Sequence, residues 1–464
     1  MPLPVELDRT LGSALGDGWR TDPSELLAYA FDNSRREAMP DAVALPRSAA
    51  DVQAIVRACR AHRMPVIARG RGTNTTGATV PVHGGVVVSF ERMDRIVDIR
   101  PGDRCAVVQP GVLNGDLQAA LAPHGLFWPP DPTSAAYSTI GGNLACNAGG
   151  PRAVKYGACR DNVLALTAVT GAGELIVCGT ATTKGSTGYD LHRLLVGSEG
   201  TLALIVEASL RLTPMPRAST ALRATYRDVV SAAQAVARLM AQPVTPSMLE
   251  FMDGDAVALA RAHMLQTTGD SDLPPDAGAL LMIEADGEVA TLPASIDALM
   301  RAAEGDGLLS IDTAPDDAAR ARLWAARKAL SPALRTLAPG KINEDVVVPV
   351  SRIPQLVDGV QHLAREFDLR IVTFGHAGNG NLHVNLMYDP ADASQGTRAN
   401  AAMARVFALA LSLGGTLSGE HGIGLAKRDF MTQAIDPPTL DVMRALKRVF
   451  DPDGIMNPGK LLPD

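Results

Sequence analysis

Apolar positions first recur at helical spacing between Ser48 and Arg63. There Val52, Ile55, Val56 and Cys59 share one face, and Ser48 with Asp51 forms a capping box ahead of them. Short β-branched runs follow at Val66-Ile67-Ala68, Val86-Val87-Val88, Ala106-Val107-Val108 and Leu202 to Leu212, with glycine-dense loops at 70–77, 141–150 and 185–200. Thr213-Pro214-Met215-Pro216 interrupts the chain, and the texture changes after it. A strand over 219–226, a helix over 227–241, strands near 247–252 and 279–285 and a helix near 289–304 are predicted. Ser351 to Phe367 reads as another amphipathic helix, with Ser351 as N-cap and Leu356, Val360, Leu363 and Phe367 on one side. The pattern predicts an α+β protein. Residues 1–215 form a first domain, residues 216–420 a second of antiparallel sheet covered by helices, and residues 421–464 pack back on the first, being too few to fold alone.

Composition narrows the class. A chain of 464 residues exceeds one ordinary core, and 46% hydrophobic with 20% charged residues is the balance of a globular enzyme. Forty-three basic residues against 50 acidic give a net charge of −7, the wrong sign for a nucleic-acid partner. No apolar stretch approaches the roughly 18 residues that span a bilayer, so no transmembrane segment is expected. Met1-Pro2-Leu3-Pro4-Val5-Glu6 has no basic region followed by an apolar run, so no signal peptide is expected either. Cys59, Cys105, Cys146, Cys159 and Cys178 show no CxxC pairing and read as reduced, buried thiols of a cytoplasmic protein.

The glycine loops carry the first chemistry. Arg69-Gly70-Arg71-Gly72-Thr73-Asn74-Thr75 follows a buried strand, and such a loop can turn successive backbone N–H groups toward phosphate without a lysine. A dinucleotide fingerprint is excluded by context, since Thr75 occupies the third glycine position and Gly77 to Pro81 cannot start a helix. A glycine-rich hairpin with no ligand explains this loop alone equally well. Pro129 to Thr133 then precedes Gly141-Gly142-Asn143-Leu144-Ala145-Cys146-Asn147-Ala148-Gly149-Gly150, a density of small residues suited to close approach of a bulky ligand. Gly197-Ser198-Glu199-Gly200-Thr201 opens a long β run.

Taken in order, Arg69-Gly70-Arg71-Gly72-Thr73-Asn74, Pro130-Asp131-Pro132-Thr133, Gly141-Gly142-Asn143, Gly197-Ser198-Glu199-Gly200-Thr201 and Asn457-Pro458-Gly459-Lys460 resemble the vanillyl-alcohol oxidase flavoprotein superfamily. More narrowly, the chain resembles its branch of FAD-linked D-lactate, glycolate and D-2-hydroxyglutarate dehydrogenases. The resemblance implies a two-part FAD-binding domain and an α+β cap domain. FAD pyrophosphate would lie against Gly70 to Thr75, with the ring framed by residues 129–149, including Gly149, and 197–205, including Ile205. Some relatives attach the flavin through a histidine in the first loop. Gly72-Thr73-Asn74 stands there in this chain, which implies non-covalent FAD.

Phe374-Gly375-His376-Ala377-Gly378-Asn379-Gly380-Asn381-Leu382-His383-Val384-Asn385 contains the strongest short hairpin signal, Asn379-Gly380. A two-residue turn centred there pairs residue 376 with 383 and 374 with 385, placing both histidines directly opposite on one face, with Asn385 pointing the same way. Two such imidazoles can share a divalent ion, although two ordinary surface histidines remain the plainer reading of the pair alone. Ser418-Gly419-Glu420-His421-Gly422 offers Glu420 as an oxygen ligand, completing a set suited to Zn²⁺ or Mn²⁺ with positions open for substrate. His421 is expected to remain off the ion and, kept neutral by a neighbouring dication, to serve as base. Leu323 to Ser331 reads as a helix with Arg327 and Ser331 on one face, and arginine's planar fork suits a carboxylate. The resemblance assigns His376, His383 and Glu420 to metal, Asn385 to substrate and His421 to proton transfer. It also places a carboxylate-binding arginine and a hydroxyl residue at Arg327 and Ser331. A substrate lysine falls near Lys341, where the local register matches poorly.

With these parts, the resemblance implies oxidation of a small D-2-hydroxy acid. The expected electron acceptor is a quinone, an electron-transfer flavoprotein or a cytochrome, and location is cytoplasmic or peripheral to the membrane through that acceptor. A homodimer is open. Within the flavoprotein reading the alternative is a related FAD-dependent oxidoreductase acting on another alcohol. Two other classes remain: a metallohydrolase, which leaves the glycine loops without a purpose, and a non-catalytic flavin or nucleotide binder, which needs no facing histidines.

Overall fold

A computed structural model describes residues 3–314 and 316–463. The chain divides into two units. Residues Met1–Gly150, Gly157–Met215 and Glu420–Asp464 form the first, and Pro151–Tyr156 with Pro216–Gly419 the second.

The first unit holds two main sheets. In the smaller, strands lie in the order Trp19–Arg20, Ala42–Ala44, Val86–Ser89, Val66–Arg69, the last three running parallel. Helix Ala49–Ala61 packs its expected apolar face, Val52, Ile55, Val56 and Cys59, into their core. The Ser48 side chain accepts the Asp51 N–H while Asp51 accepts the Ser48 N–H, as the capping box predicts. The larger sheet is antiparallel, in the order Ile96–Arg100, Cys105–Val108, Ala203–Arg211, Val163–Thr170, Leu175–Gly179. C-terminal residues fill the same cores, Ile455 and Met456 in one and Phe450 in the other.

The second unit is one antiparallel sheet of seven strands, in the order Leu308–Thr313, Ala218–Tyr226, Ala279–Gly287, Met248–Asp253, Arg370–His376, Asn381–Tyr388, Gly340–Val347. Directly opposed residues share a face, so the register sorts the side chains. Leu222, Ile283, Leu249, Leu382, Val384 and Leu386 fall on one face, and every one is buried. Tyr226 lies on that face and donates to the Ala303 carbonyl of helix Leu292–Ala303 at 2.7 Å. Glu284, Met282, Glu250, Met252, His376, Phe374, His383, Asn385, Asp345 and Asn343 fall on the opposite face. Helices Gly254–Thr268 and Asp317–Leu337 cover its apolar members, with Met252, Met282, Phe374 and Met387 packed on Ala260, Ala326 and Leu330.

Residues 151–156 belong to the second unit. Lys155 Nζ donates to the Asp286 carbonyl at 3.0 Å and Tyr156 Oη to its carboxylate at 2.7 Å. A correction concerns Ser351, which does not cap a helix. Pro349 leads into a 3₁₀ turn over Val350–Arg352 that continues directly into helix Ile353–Glu366, so Ser351 lies inside the turn.

Candidate active site

In the first unit, buried polar side chains hold backbone. The Arg69 guanidinium donates to the carbonyls of Phe31 at 2.8 Å and Ala28 at 3.2 Å. Its residue-neighbour Gly70 has no room for a side chain, because a Cβ would stand 2.4 Å from Thr139 Oγ1. Gly72 adopts φ +66°, with its missing Cβ 2.4 Å from Arg69 Nη2. Asn74 closes the loop. Its Oδ1 accepts from the N–H groups of Thr76 at 2.9 Å and Ala78 at 3.1 Å, and its Nδ2 donates to the His421 carbonyl at 3.0 Å. Arg71 is exposed, and Thr73 is half-buried.

Gly141, Gly142 and Asn143 lie in a short helix, Ile140–Cys146, whose N-cap Thr139 accepts the Gly142 N–H at 3.2 Å. The expectation that this glycine density serves a ligand needs correcting at its two ends. A Cβ on Gly141 would meet Pro110 at 2.5 Å, and one on Gly150, at φ +117°, would meet the Asp131 carbonyl at 2.5 Å. Packing within the protein requires both glycines. Pro130 accepts from Asn114 Nδ2 at 3.0 Å, the Asp131 N–H donates to the Gly149 carbonyl at 3.1 Å, and Thr133 is exposed.

Glu199 and Asn457 tie the C-terminal segment to these loops. Glu199 accepts the N–H groups of Ile423 at 2.6 Å and Gly424 at 2.8 Å, while Asn457 Nδ2 donates to the carbonyls of Ala78 at 2.9 Å and Glu199 at 2.7 Å. Burial raises the Glu199 carboxyl against those bonds. Burial also lowers Lys460 to about 8 as it donates to the Val80 carbonyl at 2.7 Å. Gly200 follows at φ +69°, and Ile205 pairs with Ala168 in the strand beyond.

Three buried atoms near these loops, Thr75 Oγ1, Ser138 Oγ and Asn143 Nδ2, have no hydrogen-bond partner among the described residues. Buried polar atoms are rarely left so. Donors and acceptors of this kind beside a glycine loop fit a ligand as polar as FAD.

In the second unit, polar side chains hold one another. The histidines share a face, but their register differs from the predicted one. Phe374, not His376, stands opposite His383, and Val372 stands opposite Asn385. Residues Ala377–Asn379 form a 3₁₀ turn closed by Gly380 at φ +75°, in place of a two-residue turn. The Gly380 carbonyl accepts the Val348 N–H at 3.1 Å, a tertiary bond that overrides the local turn preference. The slip is two residues, so parity is kept and the faces do not change. The imidazoles meet edge to face with centroids 5.3 Å apart.

Each histidine has a fully buried carboxylate opposite it on a flanking strand, and neither was anticipated from the sequence. Glu250 opposes His376, and Asp345 opposes His383. Glu250 Oε1 is bonded to His376 Nδ1, and its Oε2 accepts from Arg327 Nε at 2.8 Å. Burial pushes the Glu250 carboxyl up, but His376 and the Arg327 guanidinium, both bonded to it, outweigh burial and hold the group down at about 2. Asp345 accepts the Ser418 hydroxyl at 3.1 Å and the Gly419 N–H at 2.8 Å. A sequence signal existed for Glu250, an acid inside the apolar run Leu249-Glu250-Phe251-Met252, whereas Asp345 follows Asn343-Glu344 in a half-polar strand and carries no such signal.

Glu420 is one peptide bond beyond Gly419, so the Asp345 anchor sets where it starts. One ligand atom each from His376, His383 and Glu420 lies within 4.8 Å of the others, a donor set fitting a divalent ion. The Arg327 guanidinium carbon lies 4.7 Å from the Phe374 ring centroid. Asn385 is fully buried, with Nδ2 donating to the carbonyls of Val372 and His383 at 3.1 Å each and Oδ1 without a partner among the described residues. Lys341 is exposed, on the same face of the edge strand as Asn343 and Asp345. His421 is half-buried. Ser331 lies in helix Asp317–Leu337, and its side chain is outside the described residues.

Comparison with known proteins decides the family. The C-terminal domain model of FAD linked oxidases matches residues 215–461, and an FAD binding domain model matches residues 40–179. The glycolate oxidase subunit GlcD of Bacillus subtilis is 39% identical over 94% of this chain and 92% of its own length. The chain belongs to the FAD-linked oxidase family. Among its relatives is a D-2-hydroxyglutarate dehydrogenase of Stutzerimonas stutzeri, 35% identical over 95% of each chain. The fold of this FAD-linked oxidase is also that of p-cresol methylhydroxylase, with a TM-score of 0.80 at 16% identity over 98% of this chain and 96% of the other. This FAD-linked oxidase is therefore a flavoprotein oxidoreductase of α+β fold, and no helix among its described residues is long and apolar enough to cross a membrane.

Proposed function

We propose that this FAD-linked oxidase is a dehydrogenase of small D-2-hydroxy acids, using a divalent ion held by His376, His383 and Glu420. The observation that carries the reading is the convergence of those three ligand atoms in a chain that also matches an FAD binding domain over residues 40–179. The relatives' names, glycolate oxidase subunit and D-2-hydroxyglutarate dehydrogenase, point to the same substrate class.

When bound, FAD supplies the two-electron acceptor, and Zn²⁺ or Mn²⁺ supplies a Lewis acid for the C2 hydroxyl. Arg327 binds the substrate carboxylate through the guanidinium N–H groups left after Nε is bonded to Glu250. Asn385 Oδ1, Ser331 and Lys341 are the further polar groups offered to substrate. His421 takes the hydroxyl proton on a ring nitrogen as the C2–H bond breaks. Thr75, Asn143 and the backbone of Gly70 to Asn74 hold FAD non-covalently, since no histidine stands in that loop.

Anaerobic addition of D- and L-2-hydroxy acids to the yellow protein tests the reading. The flavin band should bleach with D-acids, and the same protein stripped with a chelator should stay yellow. Bleaching by L-acids alone, or undiminished bleaching with no divalent ion detectable, would sink it. Acid precipitation should release FAD into the supernatant.

A further inference from the structure

We propose that Glu250 is a positioning residue that serves two parts of the site at once, presenting His376 to the metal and Arg327 to the substrate carboxylate. The inference rests on the metal and substrate roles proposed above and goes beyond them, because Glu250 itself touches neither group.

Three elements meet at this carboxylate: its own strand Met248–Asp253, strand Arg370–His376 and helix Asp317–Leu337. Glu250 has no exposed surface, and its Cα partner in the ladder is His376. An ionised carboxylate only accepts hydrogen bonds, so the ring nitrogen facing it, Nδ1, carries the proton. The lone pair then stands on Nε2, the ring nitrogen that can ligate a metal, and carboxylates in this relation to a ligating histidine fix its ring and its tautomer. The other oxygen, Oε2, takes the Arg327 Nε–H at 2.8 Å. That bond, with the Phe374 ring 4.7 Å from the guanidinium carbon, fixes the plane of the arginine fork. A mere counter-ion for Arg327 would need no contact with His376, whereas here each oxygen is committed to a different functional side chain.

The test uses the flavin-loaded protein stripped of metal and titrated with Zn²⁺ against a chromophoric chelator, followed by kinetics at saturating Zn²⁺. Wild type should take up one ion per chain. Glu250→Gln should bind Zn²⁺ roughly 10–100-fold more weakly, the usual loss when such a partner is removed. Its amide can leave the proton on Nε2 and cannot accept from both neighbours through two oxygens. Saturating Zn²⁺ should bring kcat back toward wild type while KM stays raised, because Arg327 is still without its anchor. Arg327→Met should raise KM and leave Zn²⁺ affinity unchanged. If Glu250→Gln does not fold, the neutral pair Glu250→Gln/Arg327→Met carries the same test against Arg327→Met. Unchanged Zn²⁺ affinity on loss of Glu250, or a KM that returns to normal once Zn²⁺ saturates, overturns the proposal. Wild type that takes up no ion overturns the metal reading itself, and this inference with it.

Discussion

The two units use buried polar side chains in opposite ways. In the first, Arg69, Asn74, Glu199 and Asn457 bond almost entirely to backbone, and the groups left over for a ligand are loop amides and a few hydroxyl and amide atoms. In the second, Glu250, His376 and Arg327 bond to one another, and the ligand-facing groups are the side chains themselves. A backbone cradle suits a large cofactor that is held throughout the cycle, since many weak donors share it and no single one decides. A side-chain cluster suits a step in which a proton moves and a small substrate must be told from others. Substitutions should therefore act sharply in the side-chain cluster and gradually in the backbone cradle.

The sharpest break of that contrast is His383→Ala. Turnover should be abolished, while FAD content and the visible spectrum stay near wild type, because the cofactor loops are shaped by bonds within the first unit, such as those of Arg69, Asn74, Glu199 and Asn457. A protein that loses its flavin on this change would erase the distinction between the units. Next come the adjacent residues Glu420 and His421. Glu420→Gln should lower metal content, whereas His421→Asn should retain metal and slow flavin reduction by roughly 10²–10⁴-fold, the usual worth of a positioned base. Equal metal loss in both variants would make His421 a ligand and send the search for the base elsewhere.

Legibility in the sequence follows the same contrast. Local signals were readable: the Ser48–Asp51 capping box, the strands at 66–69 and 86–89, and the shared face of His376 and His383. The face survived although the register was misread, because a slip of two preserves parity. What could not be read was non-local. Nothing near His376 announces that strand Met248–Asp253 will pair beside it and bring Glu250 opposite. Nothing near Arg69 announces that its guanidinium will be taken by the carbonyls of Ala28 and Phe31, some 40 residues earlier. Glycine was ambiguous for a related reason. A missing Cβ records a close approach without saying whether ligand or protein approaches, and at Gly141 it is Pro110.

In the cofactor unit a gentler effect is expected from Glu199→Gln. One of the two N–H groups at Ile423 and Gly424 would then face an amide donor, loosening the C-terminal loop that Glu199 holds. Loss of one charge-assisted bond should weaken FAD binding on the order of tenfold, read as flavin retained after dialysis. Complete loss of flavin would mean that a single side chain governs the cradle, contrary to the shared-donor picture.

The smallest expected effect is a pH dependence at the same junction. Lys460 is buried with its ammonium on the Val80 carbonyl and Asn457 Oδ1, and burial holds it at about 8, below its ordinary value of 10.5. Between those values the unfolded chain keeps a proton that the folded chain has released. Stability linked to Lys460 is therefore fully present above 10.5 and lost as pH falls toward 8. Lys460→Met has no such group, so subtracting its melting temperature from that of wild type isolates the contribution while other alkaline titrations cancel. The difference should move in favour of wild type as pH rises from 8 to 10.5. Should it stay flat, the Lys460 ammonium is as well solvated in the fold as in water, and the junction that ties Asn457 to the glycine loops is wetter than its packing implies.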